Sequence, residues 1–120
     1  MANEIGLSCS ITFNKSGASA SRSESVSIDV AGESFYHGVQ NISTSNETLE
    51  IYELSNIDAA ETGVTFLKNL DATNFVRVGL TGSYTIKLLP GECALFRAAG
   101  ALYAIADTAA CELEVMMIEL

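Results

Sequence analysis

The chain has 120 residues, 48% of them apolar, and fifteen acidic residues face six basic ones for a net charge of −9. This length suits one folded domain, residues 1–120, with a core that needs no disulfide or metal to hold it, and the apolar content excludes a disordered chain. The carboxylate excess argues against nucleic acid and anionic membranes as partners, because both are bound through cations.

In chain order, the dominant period is two. "IGLSCSITF" (5–13) sets Ile5, Leu7, Cys9, Ile11 and Phe13 on one face, which predicts a half-buried strand. Residues 14–25, rich in Ser, Ala and Gly, read as a flexible loop. "SVSIDV" alternates again through Val26, Ile28 and Val30, and "FYHGVQNIST" is a less regular strand whose Gly38 suggests a bulge or close backbone approach. "TLEIYEL" reads as a strand with apolar residues on both faces, and "SNIDAAETG" has room for one helical turn.

Five more short strands follow, "VTFLKNL", "NFVRVGL", "YTIKLL", "CALFRA" and "LYAIA", separated by turn residues. Pro90-Gly91 fits the centre of a type II turn. "CELEVMMIEL" closes the chain with Cys111, Leu113, Val115 and Met117 on one face and Glu112, Glu114, Met116 and Ile118 on the other. Roughly ten short antiparallel strands and no amphipathic helix predict an all-β fold, a single-domain β-sandwich or jelly-roll-like barrel.

No apolar run approaches the ~20 residues of a membrane helix, and "MANEIGLSCS" lacks the basic and apolar regions of a secretory signal. Cys9, Cys93 and Cys111 are too few and too widely spaced for a disulfide framework or a zinc site, and each reads as a small core residue.

The residues that could carry chemistry do not assemble into a site. His37 is the only histidine, so it reads as structural, and a Cys–His pair requires one of the cysteines to fold beside it. "NLDATN" clusters oxygens of Asn69, Asp71, Thr73 and Asn74, but calcium wants more carboxylates, so Asx-type turns are the expectation. Catalytic residues, metal ligands and cofactors are therefore all expected to be none. If Val76 and Val78 face the core, Phe75 and Arg77 line the opposite face as a contact patch. Apolar residues on both faces of some strands point to burial against another subunit, with "EVMMIEL" the strongest case. The contact residues chosen by face and type are Phe75, Arg77, Phe96, Arg97, Met116 and Ile118.

Three segments of the second half, "NLDATNFVRVG" (69–79), "LLPGECALFRA" (88–98) and "LYAIADTAACELEVMMIE" (102–119), follow one another in a distinctive order. Together, from about Leu67 to Glu119, they resemble a pattern of small virion structural proteins of tailed bacteriophages. The resemblance implies a non-enzymatic role, most simply a capsid decoration (cement) protein on the outer capsid surface that bridges and stabilises major capsid subunits. It also implies the major capsid protein as partner, and the surplus apolar faces point to a homo-dimer or homo-trimer; the flexible Ser-Ala loop after residues 1–13 would permit exchange of the N-terminal strand between subunits, which the sequence leaves open. The alternatives are a phage tail or baseplate component and a carbohydrate- or receptor-binding module using Tyr36, Tyr52, Tyr84 and Tyr103, although the chain has no tryptophan for sugar stacking.

Overall fold

The computed structural model describes residues 4–50, 52 and 55–119. The chain forms two compact units, residues 1–31 and residues 32–120. Among the described residues there are ten strands and one 3-10 turn, and every strand pairing is antiparallel. The all-β expectation holds.

The first unit is a hairpin of β1 (Ile5–Lys15) and β2 (Ala18–Ile28). Its turn is Ser16-Gly17, with φ of 51° and 85°. Two consecutive left-handed residues make the tight turn whose twist matches that of the flanking strands. The turn sets one unbroken register, from Lys15 opposite Ala18 to Ile5 opposite Ile28. Residues 14–25 are thus strand, not a flexible loop. Their Ser and Ala have little strand propensity of their own, and cross-strand pairing overrides it. Nor is β1 half-buried: Ile5 is buried, but Ile11 and Phe13 are exposed. Val30 lies beyond the end of β2.

The second unit holds β3 (Phe35–Ile42), β4 (Glu47–Thr48), β5 (Thr62–Asn69), β6 (Val76–Leu80), β7 (Ser83–Leu88), β8 (Cys93–Arg97), β9 (Tyr103–Ala106) and β10 (Cys111–Glu119). They form two four-stranded sheets, ordered β3-β10-β5-β8 and β4-β9-β6-β7. Eight strands shared between two sheets in this order are a jelly roll. The core lies between the sheets. Ile42, Leu67, Leu113, Val115 and Met117 come from the first sheet, and Val76, Val78, Leu88, Ala104 and Ala106 from the second. Both valines of "FVRVG" are fully buried, which places Arg77 outward as expected.

Buried polar groups are paired. Gln40 accepts from Glu50 N at 2.7 Å and donates to Thr48 O at 3.2 Å, fastening β3 to the segment after β4. The Tyr52 hydroxyl bonds Thr62 Oγ1 at 2.9 Å and accepts from Leu102 N at 3.1 Å. No buried side-chain nitrogen or oxygen among the described residues lacks a partner.

Several local expectations are refined. The strand read in "TLEIYEL" stops at Thr48, and the amide of Tyr52 turns back onto Leu49 O at 3.4 Å. Ile51, Glu53 and Leu54 lie outside the described residues. The helical turn within "SNIDAAETG" is present at Ala59–Glu61. The type II turn is also present: Gly91 has φ of 83° and Glu92 N donates to Leu89 O at 2.9 Å. The β3–β10 register runs through Gly38 unbroken, and the close approach there comes from the Tyr36 ring. The bulge sits instead at Gly79, where the β6–β7 register shifts.

Candidate docking face

Period two turns alternate residues of the first sheet away from the core. On β3 these include Phe35, His37 and Val39, and on β10 they are Glu112, Glu114, Met116 and Ile118. The cross-strand register aligns them in rows. His37, Met116, Phe66 and Leu95 stand opposite one another across all four strands. Val39, Glu114, Lys68 and Cys93 form the next row, and Phe35 pairs with Ile118 at the end.

An antiparallel sheet with one solvated face is normally polar on that side. Here the outward face carries Met, Phe, Leu, Ile and Val side chains. Phe35 is 67% exposed and Val39 51% exposed on one edge strand, and Leu95 is exposed on the opposite edge strand. His37 Nε2 lies 2.8 Å from Glu114 Oε2, so the polar groups here are partly paired with each other. An apolar centre with charged groups such as Glu112, Lys68 and Arg97 around it has the make-up of a protein interface.

The second sheet presents something different. Arg77 stands directly opposite Lys87 and, on its other side, Ile105. Two cations in register repel, but each rests on a ring: the Arg77 guanidinium is 5.8 Å from the Tyr84 ring centroid and the Lys87 ammonium 4.3 Å from that of Phe75. Ring faces attract cations, which offsets the repulsion.

The six expected contact residues therefore separate. Met116, Ile118 and Arg97 share the outer face of the first sheet. Phe75 and Arg77 belong with the second sheet, while Phe96 packs against the core instead. Phe35, Val39, Phe66 and Leu95, not among the six, share the outer face of the first sheet. The signal lay in strands such as "FYHGV" and "TFL", where both alternating sets hold apolar residues.

The other candidate groups fall into structural roles. His37 and Cys93 lie on opposite edge strands of the first sheet, about 14 Å apart at the usual strand spacing. Cys111 faces the core, whereas Cys9 and Cys93 are exposed, which corrects the reading of all three as core residues. Burial pushes the Cys111 thiol up in pKa, and the charges of Asp71 and Asp107 add to this. In the "NLDATN" loop, Asn69 Oδ1 accepts from Asp71 N at 2.9 Å, and Asp71 Oδ2 accepts from Asn74 N at 2.6 Å and Thr73 N at 2.9 Å. These are Asx turns. The Asn74 and Thr73 amides hold the Asp71 carboxyl below its usual pKa. Among the described residues no three His, Cys, Asp or Glu groups are placed to hold a metal ion. Tyr36 and Tyr52 pack against the core, which removes two of the four rings from any sugar platform.

In comparisons with known proteins, the chain matches no family model, no curated protein and no solved structure.

Proposed function

We propose that the protein is a non-enzymatic structural component of a virion, a capsid decoration protein that docks on the outer shell and bridges major capsid subunits. The observation that carries this reading is the apolar outer face of the sheet β3-β10-β5-β8, with its continuous row of Met116, Phe66 and Leu95 flanked by Phe35 and Val39. A soluble body with such a face gains by burying it against a partner. The phage-like motifs of residues 67–119 supply the kind of partner, and they also supply this body's strands and turns. Many copies, each adding modest contact energy, would raise the temperature or osmotic stress at which shell subunits part.

The test uses capsids assembled with and without the protein. Decorated capsids are expected to retain their contents to higher temperature, and Phe35→Ser with Leu95→Ser is expected to abolish occupancy. Equal survival of bare and decorated capsids overturns the reading.

A further inference from the structure

The N-terminal hairpin carries a second apolar surface, separate from the sheet face. Residues directly opposite in its register share a face. One face therefore carries Leu7 with Val26, Cys9 with Glu24, Ile11 with Arg22, and Phe13 with Ala20. The other carries almost only hydroxyls, Ser8, Ser10 and Thr12 opposite Ser25, Ser23 and Ser21. Ile11 is 71% exposed, and Phe13 and Val26 are each 52% exposed. A two-stranded ribbon has marginal stability in water by itself, and it persists when its apolar face is covered.

We propose that this hairpin is a self-association arm, whose apolar face packs on the same face of the hairpin of a second copy. Charge argues for a copy as the occupant. Residues 32–120 hold four basic and twelve acidic side chains, so two such bodies repel. Residues 1–31 hold two basic and three acidic, close to balance, so association through the hairpin carries little of that repulsion. The face is also self-complementary. Arg22 and Glu24 are its central charges, 2.5 Å apart and of opposite sign. A two-fold axis crossing the ribbon between their rows lays Arg22 over the partner's Glu24, and Cys9 over the partner's Ile11. The face carries Lys15, Arg22 and Glu24, too small an excess to select a strongly charged foreign partner.

Area sets the strength. Eleven residues per strand at ~3.4 Å each, two strands wide, give a ribbon face of roughly 400 Å². Two such faces bury less than the ~1,200 Å² of a stable complex. The clasp is therefore weak in free solution, and it tightens when bodies are held side by side, as on a shell. The first consequence stands by itself; the second rests on the proposed function.

Sedimentation of the full chain tests the clasp across about 10–500 μM protein and 0.05–0.5 M NaCl. A dimer fraction that rises with protein is expected, and that also rises with salt, because salt screens the repulsion between the acidic bodies. Ile11→Asp should lower association at least tenfold. Leu80→Asp, at an exposed apolar position of the other unit, should leave it unchanged. Circular dichroism checks that both variants keep the sheet signal. The variant I11C, oxidised at high concentration, should give a covalent dimer through native Cys9. A monomer under all conditions, or association indifferent to Ile11→Asp, overturns the proposal. Capsid binding by the Ile11→Asp protein is scored separately: decoration without dimers keeps the docking reading, and dimers without decoration keep only the clasp.

Discussion

The side-chain amide of Asn69, at the end of β5, donates to the carbonyl of Leu88, at the end of β7, at 3.0 Å, and so ties one sheet of the sandwich to the other. The same amide donates to Asn74 O at 2.9 Å. The backbone of Asn69 is also engaged, its N–H with Glu92 O at 3.0 Å and its C=O with Gly91 N at 2.9 Å. One fully buried side chain thus organises the loop 70–74 and the Pro-Gly turn together.

Asn69→Leu keeps the volume and removes these bonds. It strands the carbonyls of Leu88 and Asn74 and the amide of Asp71. Unsatisfied buried groups cost about 1–3 kcal/mol each, and the loop can rehydrate in part. A loss of about 2–4 kcal/mol is expected in urea unfolding. A loss below about 1 kcal/mol would show that the loop does not depend on this residue.

Asp71 makes stability depend on pH in a defined direction. Its carboxyl pKa is lowered in the folded state by the Asn74 and Thr73 amides. The contribution is therefore present above the unfolded value, near 4, and is lost as pH falls through the lower folded value. Asp71→Asn should be less stable than the parent at pH 6, and the gap should begin to narrow as pH falls below about 4. The urea midpoints of both proteins between pH 6 and 3 measure this; a constant gap would contradict it.

Gly79 and Gly38 predict opposite tolerances. A Cβ at Gly79 would meet Ser83 O at 2.6 Å and Tyr84 Cα at 3.1 Å, both backbone atoms that cannot step aside without moving the bulge. At Gly38 the nearest atom is the Tyr36 hydroxyl at 2.5 Å, the far end of a side chain. Gly79→Ala is expected to cost about 2 kcal/mol or more, as overpacking does, and Gly38→Ala clearly less. Paired thermal melts decide the order.

Thiol chemistry reads the cysteine placement. Cys9 and Cys93 are exposed and Cys111 is buried with a raised pKa. Two thiols of the native protein should react quickly with an aromatic disulfide reagent, and the third only on unfolding. Three fast thiols would place Cys111 outside the core.

The sequence by itself determined the all-β class, eight of the strand positions and the Pro-Gly turn. Alternation of period two and turn residues are local signals, written within a few positions. The reading failed where the deciding partner was distant in the chain. Ser- and Ala-rich residues 18–25 became strand because β1 pairs with them. The sequence placed Phe96 with the contact residues, and Phe35 and Leu95 outside them, because alternation separates two faces without saying which one meets a second sheet. Only the pairing order β3-β10-β5-β8 brought Met116, Phe66 and Leu95 into one row. That order belongs to the tertiary structure, since it is set by which strands bury which faces together.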